Sequence, residues 1–137
     1  MELIQNIIIL LSMLFALMIL DYIWLGIIIQ DFIINQFGSL IKTENGSIKI
    51  NLLVGIFAWI AIAVGCFIFA LMPSNTLSKA ILLGGLFGLI TYAIYDLTNL
   101  AFIKNYPIRF AVIDILWGGI LCSAITSVGY YVRYLFV

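Results

Sequence analysis

Four apolar runs, each long enough to cross a bilayer, dominate this sequence and leave it few folds. They extend from about Leu3 to Ile29, Ile50 to Met72, Ala80 to Ile103 and Ile108 to Phe136. A hydrocarbon core of about 30 Å takes roughly 20 helical residues, and a lone apolar segment in lipid must satisfy its own backbone polar groups, which a helix does. The expected fold is all-α: four transmembrane helices in a single integral membrane domain over residues 1–137. Composition points the same way, with 66% hydrophobic and 9% charged residues, against roughly 25% charged in a soluble domain. A soluble enzyme and a disordered chain are both excluded. Six basic residues balance six acidic ones, and no basic patch speaks for nucleic acid. With no His and two isolated Cys, a zinc site and a disulfide framework lack their raw materials. No cofactor motif is present, so no cofactor is expected. The first run is too long for a signal peptide and lacks a basic leader and an A-x-A-like site, so it is expected to stay in the mature protein.

The connections are short apart from one. Pro73 to Thr76 and Lys104 to Pro107 read as turns, and Pro107 suits the first turn of the last helix. In the long connection Ile33, Phe37, Leu40 and Ile41 form one apolar helical stripe. About Asp31 to Lys42 is therefore expected to be an amphipathic helix lying in the membrane interface between the first and second spans. Asn45-Gly46 then turns the chain back toward the bilayer. Side A denotes the face holding both termini and side B the face holding the interfacial helix. Lys42, Lys49, Lys104 and Arg109 fall on side B, and Lys79, Arg133 and the α-amino group on side A. The positive-inside rule then favours side B in the cytoplasm.

A charge at the centre of a span costs about 2.5–3.5 kcal/mol on insertion scales, yet the spans carry Asp21, Asp96 and Asp114. Counted along their helices, all three lie roughly 10–12 Å below the side-B interface. Asp21 to Gly26 and Asp114 to Gly119 share the pattern D-x-x-W-x-G, which puts Trp24 and Trp117 one turn from a carboxylate. In the third span Asp96 and Asn99 lie close enough in angle to face one cavity. Ala80, Gly84 and Gly88 form a ridge for close helix packing, which Tyr95 and Asn99 continue toward side B. These residues describe an acidic, aromatic-walled pocket with the interfacial helix as its lid. It would hold a shared proton, a divalent cation bound through oxygens, or an organic cation stacked on Trp. The plain alternative is three protonated aspartates hydrogen-bonded across the bundle as packing glue.

Other residues carry weaker signals. Tyr22, Tyr106 and Tyr134 read as interfacial anchors, which is also the plain alternative for Trp24, Trp59 as packing, and Cys66 and Cys122 as small apolar residues. Thr126 and Ser127 can bond back to their own helix. Similar placement of an Asp in the first and third spans hints at two related helix hairpins.

D-Y-I-W-L-G at 21–26, Y-D-L-T-N-L-A at 95–101, Y-P at 106–107 and D-I-L-W-G at 114–118 resemble the bacterial membrane proteins of domain of unknown function 2177, over essentially the whole chain. The family tends to have Trp before the turn proline where this chain has Tyr106, a departure expected to touch only a surface aromatic. The resemblance implies the same four-span layout and signature positions at Asp21, Trp24, Tyr95, Asp96, Thr98, Asn99, Asp114 and Trp117. It implies no activity.

The expectation is a multi-pass protein of a bacterial inner membrane that binds a small ligand, cation or lipid headgroup. Asp96 and Asn99 would form the polar centre, Asp21 and Asp114 the flanking carboxylates, and Trp24 and Trp117 the walls. One alternative is a membrane enzyme acting on a lipid with an Asp as general acid or base. Another is a subunit or scaffold of a membrane complex, and a homodimer stays open.

Overall fold

A computed structural model describes residues 2–136. Helix α1, Glu2–Ile23, runs into a π turn at Trp24–Ile28. Helix α2, Gln30–Phe37, follows it on side B. Strands β1, Thr43–Glu44, and β2, Ser47–Ile48, pair as an antiparallel hairpin. Helix α3, Leu52–Gly65, ends in a second π segment at Cys66–Leu71. Helices α4, Leu77–Phe102, and α5, Ile108–Tyr134, complete the chain. Four helices are long and apolar enough to cross a membrane, as the sequence predicts: Glu2–Ile28, Leu52–Leu71, Leu77–Phe102 and Ile108–Tyr134.

Several boundaries differ from expectation for local reasons. The interfacial helix stops at Phe37 because Gly38, at φ 54°, breaks it, and a short 3-10 turn ends at Leu40. Lys42 therefore lies outside the helix, and Leu40 leaves the expected stripe to stand exposed. Asn45 and Gly46 both take positive φ, 52° and 81°, which is the geometry of a tight two-residue hairpin turn. The second span starts after Asn51, whose side chain accepts a hydrogen bond from the Val54 N–H at 3.4 Å. The third starts three residues earlier than predicted, because Thr76 accepts from the Lys79 N–H at 3.3 Å and caps it.

Helix α5 is the centre of the bundle, packed on α4 and α1 and on the π segment of the second span. Between helices in lipid there is little hydrophobic drive, so contact depends on how closely backbones approach. The ridge Ala80, Gly84 and Gly88 is buried as expected. A Cβ at Gly88 would sit 2.6 Å from the Gly118 carbonyl carbon, and one at Gly84 would sit 2.6 Å from the Cys122 carbonyl oxygen. The ridge continues toward side B by steps of four through Tyr92, packed over Gly118, to buried Asp96. It does not pass through Tyr95, which is exposed.

Helix α3 packs chiefly on α1. The second span meets α4 and α5 through its π segment, on the side-A half. There Arg133 donates to the Leu71 carbonyl at 3.0 Å and to the Ser74 carbonyl at 2.5 Å, and its guanidinium lies over the Tyr130 ring. The bundle is thus closed on side A and parted on side B along a seam between α3 and α4.

Candidate functional site

The two D-x-x-W strings interlock rather than acting separately. Trp117 of α5 donates its indole N–H to Asp21 of α1 at 2.9 Å, and Trp59 of α3 donates to the other Asp21 oxygen at 2.8 Å. Trp24 stacks on Trp117 with ring centroids 4.4 Å apart and planes 8° from parallel. One carboxyl therefore ties three spans together, with each oxygen holding one indole donor. Trp59, expected to be packing, is a direct partner of Asp21. A signal for it exists in the sequence: counted from the side-B ends of their spans, Trp59 and Asp21 lie at matching depth.

A second polar centre lies nearer side B. Tyr106 donates its hydroxyl to Asp96 at 2.8 Å. The loop sends this ring inward because Asn105 takes a φ of 61° and the Tyr106 N–H closes a turn on the Ile103 carbonyl. Phe37 and Phe110 meet the ring edge-on at 5.5 and 6.2 Å. Tyr106 is thus buried, 8% exposed, which corrects its reading as a surface anchor and as a harmless departure from the family pattern. Burial, reinforced by the Asp96 bond, pushes its hydroxyl above the ordinary tyrosine range, so it remains a donor.

Asp96 is fully buried, and its second carboxyl oxygen has no partner among the described residues. Asp114 is its neighbour, and Asp21 lies on the other side of Asp114. The three acids therefore form a row, Asp21, Asp114, Asp96, with Asp114 in the middle. Among the described residues, no indole or hydroxyl donates to Asp114 as Trp59, Trp117 and Tyr106 do to its neighbours. No group of three acidic, Cys or His side chains among them is arranged to hold one metal ion.

A cavity of about 800 Å³ fills the parted seam. Asp21, Asp114, Trp59, Trp117 and Tyr92 line its floor, Ala58, Ile62 and Tyr95 its sides, and Ile33 and Ile48 its side-B end. The helix and hairpin on side B thus stand where a lid was expected. The internal arrangement differs from the expected one. Asp21 and Asp114 face the cavity, whereas Asp96 sits behind them against Tyr106. Trp24 backs Trp117, so the wall consists of Trp117 and Trp59. Tyr95 reaches the cavity only at its rim and is 60% exposed. Asn99 is half-buried beside Tyr106 and is absent from the cavity wall. Thr98 is exposed and donates back to the Ile94 carbonyl at 2.5 Å, taking no part in the cluster. Tyr22 is exposed at the rim, in keeping with an anchor.

Comparison with curated proteins and with solved structures finds no match. The model of the family described as "Predicted membrane protein (DUF2177)" matches residues 6–131. The interlocked D-x-x-W strings and the Tyr-Asp string of α4 all fall inside that match, and this membrane protein belongs to the family of domain of unknown function 2177.

Proposed function

We propose that the protein sits in a bacterial inner membrane and binds a small amphiphile, a lipid or lipid-like ligand, that enters through the seam between α3 and α4. The observation carrying this reading is the cavity itself. It is a mostly apolar space of about 800 Å³ with an undonated carboxyl, Asp114, at its floor. Ligand sites of this kind combine apolar walls with a few placed polar groups. An apolar chain would lie along Ala58 and Ile62, with its polar end at Asp114. The exposed rim at Tyr95 opens toward lipid, which suits a ligand already dissolved in the bilayer.

Native mass spectrometry of the gently solubilised protein tests this reading. A retained non-protein mass is expected, and Ala58→Trp, which fills the seam with an indole, is expected to abolish it. Wild-type protein carrying no such mass, or a mass indifferent to Ala58→Trp, would overturn the proposal. A retained partner protein would move the assignment to a subunit of a complex.

A further inference from the structure

The cavity reading leaves open what the polar end of the ligand is, and the cluster at its floor restricts the choice. Each oxygen of Asp21 already accepts an indole N–H. The oxygens still free are those of Asp114 and the second oxygen of fully buried Asp96. These two carboxyls are neighbours, Asp114 on the cavity wall and Asp96 behind it. Both are acceptors when ionised, so together they call for donors and for positive charge. Among the described residues, no Lys or Arg lines the cavity; Lys104 and Arg109, on side B, are exposed. Trp59, Trp117 and Tyr92 line the same cavity, and aromatic rings attract cations. A hydroxyl head would bring one donor and no charge. A quaternary ammonium would bring charge and no N–H. A protonated amine brings three N–H donors and one positive charge to the undonated Asp114 carboxyl. Phosphate or sulfate would bring a second negative charge up to the Asp114 carboxyl.

Resting on the amphiphile reading above, we infer that the ligand is an amphiphile with a protonated amine head, seated on Asp114 beside Trp59 and Trp117, with Asp96 behind it. Asp21 acts as a positioning residue that holds both indoles in place.

All three tryptophans of the chain, Trp24, Trp59 and Trp117, belong to this cluster, so intrinsic fluorescence reports on it directly. The protein is placed in nanodiscs of digalactosyl diacylglycerol, a lipid with neither charge nor amine. It is titrated with hexadecylamine, hexadecyltrimethylammonium, hexadecanol and hexadecyl sulfate. Saturable change is expected for hexadecylamine at a concentration at least tenfold below any of the others. Asp114→Asn is expected to erase that preference while hexadecanol still binds. Equal binding of amine and alcohol in the wild type overturns the amine assignment and leaves the amphiphile reading standing. Equal binding of the trimethylammonium probe does the same, since the carboxyl acceptors would then be irrelevant. Saturation by none of the four probes overturns both. A preference that survives Asp114→Asn overturns the seating on Asp114.

Discussion

The two halves of the bundle are held together by different physics. On the side-A half, backbones touch: Gly84 and Gly88 admit the Cys122 and Gly118 carbonyl groups, and Gly129 admits Met13 and Leu71. On the side-B half the helices part, and hydrogen bonds bridge the gap from Trp59 and Trp117 to Asp21 and from Tyr106 to Asp96. Close packing leaves no room for a ligand. Sparse bridging leaves a cavity and sets polar groups at its floor. The first half is the closed side of the structure and the second the side that holds the cavity.

The contrast can be broken most severely at Gly88. Any side chain there meets Gly118 backbone, which has nowhere to yield. Gly88→Val is expected to remove at least about 3 kcal/mol of stability, seen as loss of monodisperse protein on size exclusion. Normal yield and unfolding temperature would mean that the α4–α5 contact is looser than drawn. On the other half, Trp59→Phe and Tyr106→Phe each strip a donor from a buried carboxyl. Each should cost about 1–3 kcal/mol in thermal unfolding. A double-mutant cycle between Tyr106→Phe and Asp96→Asn should show strong coupling, and additive effects would remove the bond from the account. Asp114→Asn sharpens the contrast further. It breaks no bond from an indole or hydroxyl and offers an N–H to the idle Asp96 oxygen, so stability should stay within about 1 kcal/mol of wild type. A larger loss would make Asp114 structural glue. Smallest of all, Thr98→Val should change stability by no more than about 0.5 kcal/mol and leave ligand retention unaltered.

Much of this architecture was legible in the residues, and the limit of legibility has a physical cause. Span lengths follow from hydropathy, and the depth of Asp21, Asp96 and Asp114 follows from counting along helices. Rotation about each axis follows from neither. The packing ridge on α4 advances in steps of four, from Ala80 to Asp96, so Tyr95 and Thr98 fall on the outward side although they adjoin the key aspartate. Two omissions have separate origins. Trp59 lacks a carboxylate of its own and so looks like packing, although its depth matches that of Asp21. Tyr106 sits in a turn that ordinarily faces the interface, and only the positive φ of Asn105 swings it inward. The pairing of Trp117 with Asp21, rather than with its own helix, depends on which helices become neighbours, and hydropathy is silent on that.

The Arg133 clasp has a consequence for how the chain is made. The carbonyls of Leu71 and Ser74 emerge 62 and 59 residues before the guanidinium that binds them. At a synthesis rate of roughly 5–20 residues per second, the second span waits about 3–12 s for its partner. During that interval α1 and the second span share the bilayer without α5, which joins the bundle together. Three spans are therefore made before the last one, whose Arg133 clasps the second span on side A, like a drawstring pulled last.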